Sequence, residues 1–196
     1  NNTQSNPNSI KRAAKLISNS SKGIIIVGGG IKYTSGFKPV IELAEYLNVP
    51  IVTAAGHGDA IPFNHKLNAG QMGPRGNPVA TKLTKEADII LAIGTRLGFN
   101  STFYSFENIN KKAKIIQVEL EKKMLGKYFP IKIGINADAA TTANQLLREF
   151  KKQKIKSEVK IWTEKFKNER SNYLFQRNNI PSKNFPIQPP GLFKEL

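Results

Sequence analysis

Cysteine is absent from this chain of 196 residues, and histidine occurs only twice. Without cysteine the chain forms neither a disulfide scaffold nor a thiolate metal site, and it has no cysteine nucleophile. A reducing compartment suits this composition, so we expect a cytoplasmic location. No apolar run reaches the ~18 residues of a membrane helix, and no signal-peptide pattern opens the chain. We therefore expect no membrane partner.

Acidic residues are also scarce, because 14 of them face 30 cationic residues and the net charge is +16. Such an excess is typical of proteins that bind phosphate groups, nucleic acids included. Only six of the cations are arginine, namely Arg12, Arg75, Arg96, Arg148, Arg170 and Arg177. Lysine has AT-rich codons, so genome composition accounts for the choice of lysine over arginine. The positive charge is densest beyond residue 150, where a solvated lysine surface is the simpler interpretation, and we expect no nucleic-acid partner.

Short apolar runs alternate with amphipathic stretches over most of the chain. The pattern predicts strands at 23–27, 50–53, 88–93, 113–120 and 131–135, and helices at 9–17, 37–47, 78–87 and 138–152. Ser9 is the expected cap of the first helix. Several runs, such as GIIIV at 23–27, are apolar throughout, which is typical of strands buried on both faces. We therefore predict an α/β Rossmann-like fold, with a parallel sheet covered by helices on both faces.

Composition divides the chain into four segments. Residues 1–8 are expected to be a disordered-like N-terminal segment, and 9–152 a Rossmann-like central domain. Residues 153–178 form a linker-side helix in this interpretation. Four prolines lie between residues 181 and 190, so 179–196 reads as a proline-rich linker followed by the start of another domain.

Ligands of open parallel sheets bind beyond the carboxyl ends of the strands, so the loops there are the candidate site. The triplet Gly28–Gly30 lets backbone N–H groups approach a phosphate, although it also suits a tight turn. In the glycine-rich loop 70–76, Arg75 is a candidate phosphate partner. Arg96 follows another strand, where it could bind a pyrophosphate or close the sheet edge in an ion pair.

Polar residues elsewhere at this edge suggest further contacts. Glu119 ends a strand where an acid can accept ribose hydroxyls, and Asp138 is a helix N-cap with nucleotide contact as a second possibility. His57 and Asp59 could act as an acid–base pair, but a polar loop is the simpler interpretation, and with only His65 in addition a metal site is poorly supported. Since no nucleophile motif or paired carboxylates occur, we predict no catalytic residues and no metal ligands in this chain.

Several stretches, taken together and in order, resemble the central domain of thiamine-diphosphate-dependent enzymes of the acetolactate synthase type. They are GIIIVGGG (23–30), IELAEYLNVPIVTAAGHGDAIPFNH (41–65), AGQMGPRGN (69–77), EADIILAIGTRL (86–97), AKIIQVELEKKMLGK (113–127) and GINADA (134–139). The GTRL sequence and the FNSTFYSFENI stretch after it are more similar to the sulfoacetaldehyde acetyltransferase-like branch.

The resemblance implies a parent enzyme that makes or breaks C–C bonds of 2-oxo acids or related carbonyl substrates. In that family thiamine diphosphate and Mg²⁺ are bound by flanking pyrimidine- and pyrophosphate-binding domains, which would be partners in the same protein. The parent would be a homo-oligomer, dimer or tetramer, and this central domain by itself would be catalytically silent. The tail PIQPPGLFKEL (186–196) resembles the linker into the pyrophosphate-binding domain.

The family's central domain often carries FAD or an ADP-type nucleotide. Matching positions imply that Gly28, Gly29, Gly30, Gly73, Arg75, Thr95, Arg96, Glu119, Leu120 and Asp138 would contact it. Residues 97–100 lack the acidic pair that follows the equivalent arginine in FAD-binding acetolactate synthases, which argues against FAD. The alternative is a free-standing Rossmann-like nucleotide-binding protein, such as an NAD-using deacylase, but its catalytic histidine motif and cysteine zinc ribbon are missing.

Overall fold

The computed structural model describes residues 3–33, 35–155, 159–179 and 186. The strands are β1 (Gly23–Val27), β2 (Ile51–Thr53), β3 (Asn68–Gln71), β4 (Ile89–Ile93), β5 (Lys114–Glu119) and β6 (Ile133–Asn136), and the helices are α1 (Pro7–Ser18), α2 (Phe37–Leu47), α3 (Pro78–Glu86), α4 (Phe99–Thr102), α5 (Ala139–Gln153) and α6 (Lys160–Asn178). The predicted linker and start of another domain at 179–196 lie outside the described residues, apart from residues 179 and 186.

All six strands pair in parallel, in the order β3-β2-β1-β4-β5-β6. This is the strand order of the doubly wound dinucleotide-binding fold, with its switch point between β1 and β4. Every residue of β1 and β4 is buried, as a sheet covered on both faces requires. The predicted α/β Rossmann-like fold is therefore confirmed.

Two groups of helices cover the sheet. Helix α5 contacts both α1 and α2, and α3 contacts both β3 and α6. Each of these first three helices buries one apolar stripe, such as Ile10, Ala13, Ala14 and Ile17 of α1, and this helical spacing is what the sequence pattern predicted. The helices thus enclose the apolar strands in one continuous core.

The N-terminal segment packs onto α5 from Thr3 onward, which differs from the irregular tail predicted for 1–8. The hydroxyls of Ser5 and Thr142 are 2.7 Å apart, and the Asp138 N–H donates to the Thr3 carbonyl. Helix α1 is capped by Asn6, whose side chain accepts from the Asn8 N–H at 2.9 Å. The prediction that Ser9 caps this helix is therefore wrong, because Pro7 extends the helix by two residues.

The sequence pattern missed two elements, β3 and α4. Strand β3 reads NAGQ and lies at the edge of the sheet formed by the described residues, next to β2. An edge strand of four residues without an apolar run carries no periodic signal. Helix α4 has a single turn and ends at Phe103, whose φ is 49°, and one turn is too short for an amphipathic pattern.

The N-terminal half of helix α6 packs onto the domain. The buried Trp162 donates its indole N–H to the Gly23 carbonyl at 3.2 Å, and the Thr163 hydroxyl donates to the Asn48 carbonyl at 2.5 Å. One turn further along, Phe166 is fully buried. Helix α6, which lies within the predicted linker-side helix, is thus part of the packed structure.

Candidate functional site

A cavity of about 540 Å³ opens at the carboxyl ends of the strands, beside the switch point between β1 and β4. It lies in the size range of small-molecule sites, about 300–1,000 Å³. We call it the switch-point cavity. Eight of the ten residues predicted to bind a nucleotide line it: Gly28, Gly29, Gly30, Thr95, Arg96, Glu119, Leu120 and Asp138.

The floor of the switch-point cavity is a crossing of two backbone loops. The Gly30 N–H donates to the Gly94 carbonyl at 2.9 Å. A Cβ on Gly30 would lie 2.7 Å from the Gly94 Cα, and one on Gly28 would lie 2.6 Å from the Gly94 carbonyl oxygen. Glycine is therefore required here by the close approach of the two loops, and the crossing leaves a side-chain-free floor that a phosphate can approach.

His57 forms one side of the switch-point cavity. A Cβ on Gly29 would lie 2.8 Å from the His57 Cε1, so glycine at 29 leaves room for the imidazole. The Asp59 carboxylate instead pairs with the Lys32 ammonium at 2.5 Å. This ion pair does not support an acid–base role for Asp59. The Lys32 ammonium holds the pKa of the Asp59 carboxyl below its usual value, which leaves this group ionised and a poor proton donor.

Arg96 lies at the rim of the cavity and is paired at the same time. Its guanidinium donates to Glu121 at 3.0 Å, and Lys123 contacts the other carboxylate oxygen at 2.7 Å. Lys123, with a smaller contribution from Arg96, lowers the pKa of Glu121. Of the two roles weighed for Arg96, the ion pair is present, and the exposed guanidinium still lines the cavity.

The opposite wall carries carboxylates at the ends of β5 and β6. Glu119 is half-buried, and its side chain accepts the Glu121 N–H at 3.3 Å. Asp138 is buried and caps α5 by accepting from the Thr141 N–H at 2.8 Å, as predicted. A half-buried carboxylate at a strand end is able to accept hydroxyl groups of a sugar, because much of its lone-pair capacity is still free.

The structure also brings in residues that the sequence analysis did not name. The Ser101 hydroxyl accepts the Ala55 N–H at 2.9 Å and so ties α4 to the loop after β2. Phe99 begins α4, lines the cavity and leaves half of its surface exposed. No periodic signal marks these positions, because a one-turn helix and a loop lie beside each other only in the tertiary structure.

Gly73 and Arg75 are not among the residues that line the switch-point cavity. A Cβ on Gly73, whose φ is 108°, would lie 2.9 Å from the Asn100 carbonyl oxygen, so this glycine serves a close packing of loops. Arg75 lines a second cavity of about 790 Å³ between β3 and α6. We call this one the edge cavity.

Within the described ranges no group of three or more His, Cys, Asp or Glu side chains is arranged to hold a metal ion. In the same part of the chain, no helix has the length and apolar character needed to cross a bilayer. The geometry of the switch-point cavity is thus that of a binding site made of backbone and strand-end groups.

Residues 10–146 match the family described as thiamine pyrophosphate enzyme, central domain. The chain belongs to this family. It is 36% identical over 149 residues to a sulfoacetaldehyde acetyltransferase of Castellaniella defragrans, covering 75% of this chain and 25% of that protein. It is also 29% identical over 197 residues to a probable acetolactate synthase large subunit of Methanocaldococcus jannaschii, covering 99% and 32%.

The chain thus spans about a quarter to a third of the length of these relatives. All lining residues of the switch-point cavity lie between 28 and 139, inside the range that matches the family. The edge cavity also takes residues 173, 176 and 177 of α6, which lie outside that range. The switch-point cavity therefore belongs to the part of the chain that matches the family, whereas the edge cavity lies partly outside it.

Proposed function

We propose that this chain is the central, non-catalytic domain of a thiamine-diphosphate-dependent enzyme of the acetolactate synthase type. Such a parent protein makes or breaks a C–C bond of a 2-oxo acid or a related carbonyl substrate. The observation that carries the proposal is the family match over residues 10–146, joined to the strand order of the family's fold. A free-standing nucleotide-binding protein is not favoured, because that match covers most of the sheet.

We assign thiamine diphosphate and Mg²⁺ to other parts of the parent protein, because the family match of this chain is to the central domain alone. Flanking pyrimidine- and pyrophosphate-binding domains of the parent would bind the cofactor and the metal. We therefore assign no catalytic step to this chain, and propose a cytoplasmic, homo-oligomeric parent.

The switch-point cavity is the proposed site of an ADP-type nucleotide. The backbone N–H of Gly29 and the guanidinium of Arg96 would face the diphosphate beside the glycine floor, because the N–H groups of Gly28 and Gly30 already donate to the Ile93 and Gly94 carbonyls. Glu119 would accept the ribose hydroxyls, and Leu120, with half of its surface exposed, would lie against the base. The resemblance places Gly98 and Phe99 where FAD-binding acetolactate synthases carry two acids, so we favour the adenine nucleotide over FAD.

Two measurements test this function. The 196-residue chain, supplied with thiamine diphosphate, Mg²⁺ and pyruvate, should show no turnover, whereas the parent protein with both flanking domains should turn over; activity of the chain alone would refute the assignment. Calorimetric titration should detect ADP, and Arg96→Gln should weaken its binding about tenfold. Visible flavin absorbance of the purified protein would show instead that the occupant is FAD.

A further inference from the structure

The edge cavity separates the outer strand of the sheet from the C-terminal half of α6. Its walls include Phe63 and Asn77 on the sheet side, Tyr173, Gln176 and Arg177 on the helix, and Arg75 from the glycine-rich loop. None of the described residues that line it is acidic. A cavity with cations and amides but without a carboxylate has a positive potential that its own walls do not neutralise.

One face of α6 forms the outer wall, and its character changes along the helix. Phe166 is buried in the core, whereas Arg170, Tyr173 and Arg177 continue the same face at helical spacing. Arg170 donates to the carbonyls of Asn68 and Phe63 at 2.7 and 2.8 Å. These bonds hold α6 against the sheet edge just before the helix passes over the cavity.

Arginine is rare in this chain, yet it gathers here. Three of its six arginines, at positions 75, 170 and 177, surround or line the edge cavity. The other three arginines lie apart from the cavity, and the remaining 24 of the 30 cations are lysine. Arginine differs from lysine in presenting a planar fork that binds carboxylate and phosphate with two parallel hydrogen bonds. Its use at this place indicates a need for that geometry rather than for charge alone.

Two of these arginines have no protein partner in the part of the chain that is described. Arg170 is occupied by its two carbonyls, but Arg75 and Arg177 form no ion pair and no side-chain hydrogen bond with any described residue. The nearby Glu169 is engaged by Lys82 at 2.7 Å. The two guanidinium groups at the cavity are thus available to an external anion.

We propose that the edge cavity is a second ligand site, which binds a small organic anion through Arg75 and Arg177. Its carboxylate or phosphate group lies between the two guanidinium groups, and its body packs against the rings of Phe63 and Tyr173. Phe63 has most of its ring exposed without a ligand, so covering it contributes a favourable apolar term. This site is separate from the switch-point cavity and does not depend on a nucleotide there.

Calorimetric titration of the full chain with phenyl phosphate, benzoate and neutral benzyl alcohol tests the proposal. We expect at least one of the two anions to bind and the alcohol to bind more weakly. Arg75→Gln and Arg177→Gln should each weaken the anion about tenfold, because each removes charged hydrogen bonds. Both side chains are exposed, so the variants should keep the fold. The stronger of the two anions identifies the ligand as a phosphate or a carboxylate.

Matched variants distinguish anion binding at the edge cavity from an effect of net charge and from binding at the switch-point cavity. Arg12→Gln removes the same charge from the exposed face of α1, and Arg96→Gln removes it at the switch-point cavity. Both should leave anion affinity within about twofold at moderate salt. Equal weakening by Arg12→Gln would reduce the effect to net charge, and weakening by Arg96→Gln alone would place the anion in the other cavity. Either result, or no binding of any anion, overturns the proposal.

Discussion

The two cavities of this domain lie at one sheet, but one is formed by backbone and the other by side chains. The floor of the switch-point cavity is backbone, formed where the loop Gly28–Gly30 crosses Gly94. The edge cavity is enclosed by side chains of α6, which is held by a few long-range contacts. The switch-point cavity follows from the strand order of the fold, whereas the edge cavity depends on how α6 attaches to the domain. We therefore expect the two cavities to respond differently to substitution.

The largest effect should come from Trp162→Ala. Loss of a buried tryptophan costs about 3–5 kcal/mol, and here it also removes the hydrogen bond to the Gly23 carbonyl. Helix α6 should detach, so that anion binding at the edge cavity is lost while nucleotide binding at the switch-point cavity persists. Hydrogen exchange of α6 amides, with titrations of both ligands, measures this. Trp162→Phe is the control, with a cost of about 1 kcal/mol for the hydrogen bond.

Gly30→Ala should have the next largest effect, at the other cavity. The new Cβ would lie 2.7 Å from the Gly94 Cα, and such overpacking costs about 1–3 kcal/mol. Urea unfolding should show this loss, and ADP affinity should fall because the loops must separate. At Gly98 a Cβ meets nothing within 4 Å, so Gly98→Ala should change stability by less than about 0.5 kcal/mol. Equal effects of the two variants would contradict the crossing-loop explanation.

Asp88→Asn should lower stability without favouring either cavity, because Asp88 lies just before β4 at the amino end of the strands. Its carboxylate accepts from the Ser20 hydroxyl at 2.6 Å and from the Ser21 and Lys22 N–H groups. We expect a loss of about 1–2 kcal/mol, since solvent screens part of this charge. The affinities for ADP and for the organic anion should stay unchanged in this variant. A selective loss of either affinity would contradict the prediction.

The same residue gives a pH dependence. Burial raises the pKa of Asp88, but the hydrogen bonds from Ser20, Ser21 and Lys22 outweigh it, and the pKa lies below its usual value. The ionised form is favoured in the folded state, so its stabilisation is complete above the unfolded pKa of about 4 and is lost as pH falls through the folded value. Urea unfolding at pH 7 and below pH 4 should therefore show a smaller difference between wild type and Asp88→Asn at the lower pH.

The smallest effect on stability should come from Arg96→Gln. The Arg96–Glu121 pair is exposed, and Lys123 stays close to Glu121 at 2.7 Å, so the thermal midpoint should not change measurably. ADP affinity should nevertheless fall, because the guanidinium lines the switch-point cavity. A shifted midpoint with unchanged ADP affinity would mean that Arg96 serves only the ion pair.

Much of the fold could be predicted from local patterns, and the misses have physical causes. Apolar runs such as that of β1 indicated buried parallel strands, and helical stripes such as that of α2 indicated the covering layer. Strand β3 was missed because its four residues, NAGQ, include no apolar run. The cap of α1 was misplaced because Asn6 and Ser9 are both good caps, and proline at the first helical position decided between them.

For the candidate site, too, the sequence predicted some features and missed others. Eight residues predicted from strand ends meet in one cavity, since parallel strands bring their carboxyl ends to one edge. Arg75 was grouped with them by its glycine-rich loop, but β3 carries that loop to the outer edge of the sheet. The order of strands, rather than the loop's composition, decides which cavity a loop reaches.

The sequence by itself determined the α/β class, the strands of the core and the family resemblance, because these depend on periodicity and on short motifs that fold locally. Only the tertiary structure decided that α6 packs its Trp162 onto β1, that two loops cross at Gly30 and Gly94, and that three of the six arginines gather at one sheet edge. Those features join residues far apart in the chain, and contacts of that kind leave no periodic signal in the sequence.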